Sequence, residues 1–495
     1  MKINMQTKNA IIIGSGVAGL ATAIRLAVQG YDVRVFEKNS GPGGKLSAFE
    51  NNGFHFDQGP SLFTQPQNME ELFELAGEPI GNYFNYVSVD IACKYFYENG
   101  KVVNAFTNTS DFDKELQVRV HERPGNLLAY LKESERIYEN IGTVFINHSL
   151  HKISTWMHKR IFHAMAYVRY CYLFSSLNNY NRRKFTSPEA IQLFNRFATY
   201  NGSNPYRAPG MLSMIPHLEQ NQGTFYPKGG MISVKNALYR LALTKGVKFY
   251  FDSPVHAIIH HAGRVKGVVV NGENIYTGIV VSNVDVYFTY KELLRNDYKA
   301  KSLLRQERSS SAVIFYWGIK KSFPGLQLHN IFFSKDYERE FEGIFNKKLI
   351  STDPTVYINI TSKMENELAP AGKENWFVMV NAPANTGQDW KQVRQNLRNS
   401  IICKLNRMLD TDLEQLIETE DISDPALIEE QTASYMGSLY GTSSNSKLAA
   451  FFRQANYTDN IKGLFFCGGS VHPGGGIPLC LKSARIVGEL ISQHK

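Results

Sequence analysis

The segment from Ala10 to Lys38 constrains the fold more than any other part of the chain. An apolar stretch leads into Gly14-Ser-Gly16-Val-Ala-Gly19; a helix-like pattern and Val33-Arg-Val-Phe follow, and the acid Glu37 closes the unit. Strand, glycine turn, helix, strand and acid in that order are the local plan of a dinucleotide site. Gly14 permits the tight turn off the first strand, Gly16 lets the backbone approach a pyrophosphate, and Gly19 lets the helix pack close to the sheet. The helix beginning near Val17 directs its unpaired N–H groups and the positive end of its dipole at the same spot. Glu37, 18 residues beyond Gly19, is placed to accept hydrogen bonds from ribose hydroxyls. A glycine-rich turn that binds nothing is the plainer reading, and the flanking strands and acid weigh against it. The fingerprint alone does not separate FAD from NAD.

A chain of 495 residues suits two or three domains with sizeable cores. Its 31 Phe and 26 Tyr suit a long apolar cavity or an interfacial surface as well as ordinary core packing. The net charge of +9 favours an anionic partner. No helix-turn-helix, zinc or RNA-binding signature accompanies it, which sets nucleic acid aside in favour of an anionic membrane surface. Five cysteines, Cys93, Cys171, Cys403, Cys467 and Cys480, form no CxxC pair and argue for a reducing compartment without a bound metal. Met1–Lys8 is too short and polar for a signal peptide. No run reaches the roughly 18 to 20 apolar residues of a membrane span. The expectation is a cytoplasmic protein, peripherally associated with the inner face of the cell membrane.

Gly41-Pro-Gly43-Gly44-Lys45-Leu46 and Phe54-His-Phe-Asp57-Gln-Gly59-Pro60-Ser61-Leu62 suit either a backbone lying against a flat or phosphorylated ligand or an ordinary loop. Residues 87–106 read as short strands around a turn at Asn99-Gly100. Leu150–Lys184 sets Lys152, Lys159, Arg160, Arg169, Arg182, Arg183 and Lys184 around Trp156, Phe162, Tyr167, Tyr170, Tyr172 and Phe174. That pattern fits a helical segment in the headgroup region or a solvated hairpin with one buried face. After Gly223-Thr-Phe-Tyr-Pro-Lys-Gly229-Gly230-Met231, a helix is predicted from Ile232 to Leu243 with Gly246 ending it. Strands at 247–251, 255–260, 265–270 and 279–281 return to the nucleotide-binding sheet with a hairpin appended. Strands at 311–319 and 376–381 belong to a second sheet, and 390–409 reads as helix. Near the C-terminus, Gly463-Leu-Phe-Phe-Cys467-Gly468-Gly469-Ser470 runs into His472-Pro473-Gly474-Gly475-Gly476-Ile477-Pro478 and an apolar helix. That arrangement builds a second anion-friendly helix start. A transiently bound nicotinamide needs no such second cradle; a flavin dinucleotide held along its whole length does.

These blocks, together with Val281-Ser-Asn283-Val-Asp285, follow the order and spacing of the bacterial carotenoid desaturases. The chain resembles the phytoene-desaturase family of flavoproteins along nearly its whole length. Its C-terminal Gly-Gly-Ser-Val-His-Pro-Gly-Gly-Gly-Ile-Pro is most similar to the hydroxycarotenoid 3,4-desaturase subtype. The resemblance implies an α/β fold, with a Rossmann-like FAD-binding domain (1–80, 222–290 and 430–495) interleaved with an α+β substrate domain (81–221 and 291–429). The substrate domain would carry membrane-contacting helices around 150–184. It implies Gly14, Gly16, Ala18 and Gly19 around the pyrophosphate, Glu37 at the ribose and Val255 at the adenine edge. Asn283 would border the adenosine half, and Lys45, Ser61 and Leu62 would run along the ribityl chain and flavin. Gly469, Gly476, Ile477 and Pro478 would close over the isoalloxazine.

The implied reaction inserts a C=C bond at C3–C4 of a 1-hydroxylated carotenoid by hydride transfer to FAD, with quinone or oxygen as the final acceptor. Phytoene desaturation, isomerisation or saturation on the same scaffold, and a flavin-bound carotenoid carrier without turnover, are the alternatives. An amine oxidase is disfavoured by the basic character of the substrate-domain stretch. No catalytic residue is identified. His472, His217 and Glu219 are candidates for proton acceptance by position alone, and a lone histidine is more often structural. Cys467 beside the glycine turn could suggest a covalent flavin, against the blander reading of buried packing.

Overall fold

In the strand Asn9–Ile13, Ala10 and Ile12 belong to one hydrophobic cluster and Ile11 and Ile13 to another, all of them buried. A strand apolar on both faces belongs in the middle of a parallel sheet. It pairs in parallel with Asp32–Phe36 on one side and Val280–Ser282 on the other. Lys248–Tyr250 and Leu464–Phe466 complete a five-stranded parallel sheet. The computed structural model describes residues 8–152, 155, 172–446, 449 and 453–493.

Helices Val17–Val28, Ile232–Thr244 and Ile477–Ser492 contribute to the core on one face of this sheet, the first touching both of the others. The helix expected after Gly230 ends as its sequence predicts. Gly246 takes φ +80° and donates to Leu243 at 2.9 Å, and Val247 donates to Ala242 at 3.0 Å, a glycine stop that satisfies the last carbonyls. The other face packs on an antiparallel sheet of Val255–His261, Arg264–Val270 and Glu273–Tyr276. The sequence suggests only a hairpin there. The third strand is exposed except for half-buried Ile275, so it carries no apolar alternation to announce it.

A second sheet has seven strands in the order Ile417–Ser423, Ser311–Ile319, Glu374–Ala382, Val356–Asn359, His329–Phe332, Ile91–Phe96 and Val102–Phe106. Pairing is antiparallel except between His329–Phe332 and Ile91–Phe96. Val313, Phe315, Trp317, Ile358, Trp376 and Val378 pack with helix Trp390–Leu409 through Leu397, Ile401 and Leu405. The period of two along each strand sends the intervening residues to the opposite face. That face floors the cavity described below.

Among the described residues, no helix is long and apolar enough to cross a membrane. Trp156, Lys159, Arg160, Phe162, Tyr167, Arg169, Tyr170 and Cys171, central to the expected membrane-contacting segment, lie outside the described residues. Downstream, helix Leu177–Lys184 is capped by Ser176, whose Oγ accepts from Asn179 at 3.2 Å, and it carries Arg182, Arg183 and Lys184 in its last turn.

Candidate functional site

A cavity of about 1190 Å³ runs between the glycine turns of the parallel sheet and the second sheet. Its first half is walled by main chain. Gly14, Gly16, Gly43, Gly44, Gly59, Gly468, Gly469, Gly475 and Gly476 all line it. Two helices start there: Val17–Val28 behind Gly16 and Ile477–Ser492 behind Gly476. Neither has a side-chain cap or an acidic residue in its first turn. Elsewhere Asn108, Ser176, Ser187, Asp389 and Asp424 cap helix starts. Two uncapped N-termini facing one cavity leave several N–H donors and two positive dipole ends for an anionic or carbonyl-bearing ligand.

Asn283 binds the two glycine turns together. Its Nδ2 donates to the Cys467 carbonyl at 3.1 Å. A Cβ added at Gly16, Gly19 or Gly468 would stand 2.7–2.9 Å from its amide. Gly19 itself does not line the cavity. A Cβ there would fall 2.2 Å from the Gly14 carbonyl oxygen, so this glycine permits the close approach of helix to strand. The other thirteen residues singled out from the sequence line the cavity: Gly14, Gly16, Ala18, Glu37, Lys45, Ser61, Leu62, Val255, Asn283, Gly469, Gly476, Ile477 and Pro478. Glu37 is buried and already engaged; Oε2 accepts from Ser15 N and Ser15 Oγ, each at 2.8 Å, and Oε1 from Asn39 N at 3.0 Å. The Lys45 ammonium donates to the carbonyls of Ser438 at 3.1 Å and Leu439 at 2.8 Å. Desolvation lowers it to about 8, against the pull of Asp285.

The block Tyr226–Met231 lies off the cavity wall. Gly230, at φ +78°, leaves room for Asp57, whose carboxylate accepts from Met231 N at 2.7 Å and Ile232 N at 2.9 Å. Burial pushes Asp57 up to about 6. Glu365 accepts from Tyr226 Oη at 2.6 Å and Gly229 N at 2.8 Å. This motif anchors the helix that follows it.

The second half of the cavity is walled by side chains from the seven-stranded sheet: Ile314, Tyr316, His329, Ile331, Tyr357 and Met379. They are scattered over nearly 70 residues of sequence and converge only through strand register, with Ile331 opposite Tyr357 and Tyr357 opposite Met379. Beside them stands a buried ion pair, with Arg196 Nη2 3.0 Å from Glu219 Oε1. Tyr200 donates to the same carboxylate, and the Arg196 guanidinium lies over the rings of Phe197, Tyr200 and Tyr95. Nothing local in the sequence marks Arg196, Tyr200, His329 or Tyr357 as wall residues. The strands carrying His329 and Tyr357 have only four residues each, too few to show a pattern.

Of the three residues considered for proton acceptance, only Glu219 lines the cavity. His472 Nε2 lies 2.9 Å from the His148 carbonyl, and burial lowers the imidazole to about 3. His217 sits between Asn221 at 2.9 Å and Gln222 at 3.2 Å, likewise lowered by burial. Cys467 belongs to the core cluster beneath the helices, and burial pushes its thiol up to about 12. Two other cysteines line the cavity, Cys480 near Pro478 and Cys93 beside Ala92. Among the described residues, no cluster of His, Cys, Asp and Glu could hold a metal ion.

Residues 17–491 match the family model described as flavin containing amine oxidoreductase. The chain is 48% identical over 98% of its length, and 99% of the relative's, to a 1-hydroxycarotenoid 3,4-desaturase of Flavobacterium sp. (strain P99-3). It is 32% identical to a 4,4'-diaponeurosporene oxygenase of Staphylococcus aureus (strain MSSA476), covering 99% of both chains. Among solved structures, an oxidoreductase from Methanosarcina mazei superposes with a TM-score of 0.66 at 14% identity, covering 97% of this chain and 100% of the other. A putrescine oxidase bound to putrescine gives a TM-score of 0.62 at 13% identity, covering 98% of both chains. These two likenesses extend to the fold.

Proposed function

Because the chain belongs to the flavin-containing amine oxidoreductase family, we propose that its cavity holds FAD in the glycine-walled half and a carotenoid over the second sheet. The reaction in this reading is desaturation at C3–C4 of a 1-hydroxylated carotenoid end, the activity named for the 48% identical relative. One observation carries it: the cavity of about 1190 Å³ joins a main-chain cradle to an apolar, strand-built floor, and is larger than the roughly 300–1,000 Å³ of a single small-ligand site.

The cradle suits FAD on its own chemistry. Gly14, Gly16, Ala18 and the start of Val17–Val28 would take the pyrophosphate, with Gly19 keeping that helix close to its strand. Glu37 would accept from the ribose, Val255 would meet the adenine edge through its backbone, and Asn283 would border the adenosine half. Lys45, Ser61 and Leu62 would run along the ribityl chain and ring system, and Gly469, Gly476, Ile477 and Pro478 would close over the isoalloxazine. The flavin, when bound, supplies the two-electron oxidation of the C–C bond.

The chain's own contribution is orientation and exclusion of water. Ile314, Tyr316, Ile331 and Met379 offer an apolar bed to a rigid polyene. Positive charge developing at the reacting end spreads over the conjugated chain, which lowers the demand for a strong base. That matches a site whose wall histidine is held neutral by burial. Contact with an anionic membrane face, and quinone or oxygen as electron acceptor, belong to the same reading. The first rests on the basic and aromatic composition of 150–184 and places the protein in the cytoplasm, peripheral to the inner membrane face.

The purified holoprotein is expected to add a double bond to a 1-hydroxylated carotenoid, detected by mass and by the red shift of its absorption. Double bonds gained by phytoene alone would overturn the substrate assignment. Under anaerobic conditions the carotenoid should bleach the bound flavin; an oxidised spectrum that persists would point to a carrier. Neutralising Lys159, Arg160, Arg182, Arg183 and Lys184 should weaken binding to anionic vesicles, and unchanged binding would remove the membrane element.

A further inference from the structure

On the apolar floor of the cavity, one connected polar group stands out. Ser61 Oγ lies 2.9 Å from Tyr357 Oη, which lies 2.8 Å from His329 Nδ1. All three residues line the cavity. Asn359, opposite His329 in the strand register, settles the tautomer. Its Nδ2 donates to the Leu328 carbonyl at 3.1 Å and stands 3.1 Å from His329 Nδ1. An amide nitrogen only donates, so Nδ1 accepts and the ring proton resides on Nε2. Among the described residues Nε2 has no hydrogen-bond partner. His329 lines the cavity, so this donor is left for a ligand there. Burial and the charge of Arg196 lower the imidazole from 6.5 to about 3, which makes it a poor proton acceptor and a fixed neutral donor.

A hydroxyl on C1 is separated from the C3–C4 bond by only two or three bonds, so any group that reads it must stand close to the reacting bond. Ser61 belongs to the Gly59–Leu62 segment of the cavity wall, which joins this relay to the cofactor half. We propose that His329 Nε2–H, oriented by Tyr357 and Ser61, donates a hydrogen bond to the C1 hydroxyl and thereby selects hydroxylated over unhydroxylated carotenoid ends. The inference rests on the desaturase reading and names the contact that sets its specificity. Tyr357 is a positioning residue, acting through the imidazole.

The test compares kcat/KM for a 1-hydroxylated carotenoid and its unhydroxylated counterpart, using flavin-loaded wild type and the variants His329→Leu, His329→Gln and Tyr357→Phe. Loss of one neutral hydrogen bond should lower the hydroxylated-to-unhydroxylated ratio roughly tenfold in His329→Leu. His329→Gln, which keeps a donor, should recover part of the ratio, and Tyr357→Phe should lose less than His329→Leu. If His329→Leu fails to retain flavin, the ratio in Tyr357→Phe decides. A ratio equal to wild type in the flavin-loaded variants, with both substrates slowed alike, would overturn the subsite while leaving the desaturase reading intact. A wild type that desaturates no 1-hydroxylated end would overturn that reading, and the subsite with it.

Discussion

At Gly14–Gly19 and Gly468–Gly476 the cavity wall is main chain; at Ile314, His329, Tyr357 and Met379 it is side chain. The two halves are made by different physics. The first works through absence: no Cβ at the turns, and no side-chain cap on helices Val17–Val28 and Ile477–Ser492. Its chemistry is that of peptide N–H groups and helix ends, which change little when neighbouring side chains change. The second half works through presence, and each contact depends on which residue occupies alternate positions of strands far apart in the chain. A cofactor site of the first kind suits one ligand held the same way throughout a family. A substrate site of the second kind can be altered one side chain at a time.

Substitutions can break this contrast. The largest effect is expected in the substrate half, from Arg196→Met. It strands Glu219, whose side chain is only 2% exposed, and should cost about 3–5 kcal/mol of stability. Urea unfolding would measure it, and a loss below about 1 kcal/mol would show that Tyr200 and its neighbours compensate. Removing both charges, as Arg196→Met with Glu219→Leu, should cost less than the single change.

Gly19→Ala tests the cofactor half. The new methyl would meet the Gly14 carbonyl oxygen at 2.2 Å, so the helix must retreat. A cost of about 1–3 kcal/mol is expected, together with release of flavin on gel filtration. Full flavin retention would mean that the helix–strand approach is looser than it stands here.

Acid stability compares a histidine on the substrate wall, His329, with one buried behind the C-terminal glycine run, His472. Burial lowers His329 and His472 from 6.5 to about 3. Between those limits the unfolded chain binds more protons, so their contribution is complete above about pH 6.5 and declines as the pH falls toward 3. Between about pH 6.5 and 5 each accounts for up to roughly 2 kcal/mol. Denaturation of His472→Asn at pH 7 and pH 5 should therefore show a shallower decline than wild type. An unchanged slope would show that His472 is not what the acid attacks. The smallest effect is expected from Val255→Ala. If the adenine edge meets only the backbone there, flavin affinity should move by less than about twofold, and a larger change would bring a side chain into the cofactor half.

What could be read in advance divides along the same line. The turn from Gly14 to Gly19, the acid at Glu37 and the glycine run at 468–476 are local signals, because backbone freedom and helix starts are local properties. So were the helices at 232 and 390, whose boundaries follow from a glycine stop and an apolar period. The block at Tyr226–Met231 carried an equally strong local signal, yet it serves Asp57 and the following helix and leaves the cavity wall to others. Gly19 belongs to the fingerprint but stands behind the wall. Glu37 was legible as an acid in the right place, though not as one already holding Ser15.

By itself, the sequence determined the dinucleotide turn, the second glycine cradle and the helices behind them, since each depends on residues within a few positions of one another. Tertiary structure alone decided that Ser61, Tyr357 and His329 form one chain of hydrogen bonds, that Arg196 meets Glu219, and that Asn283 spans both glycine turns. Those contacts arise from strand register and from packing between segments 23 to 296 residues apart. A period of two says that a strand has two faces, and only the assembled sheets say which face borders the cavity.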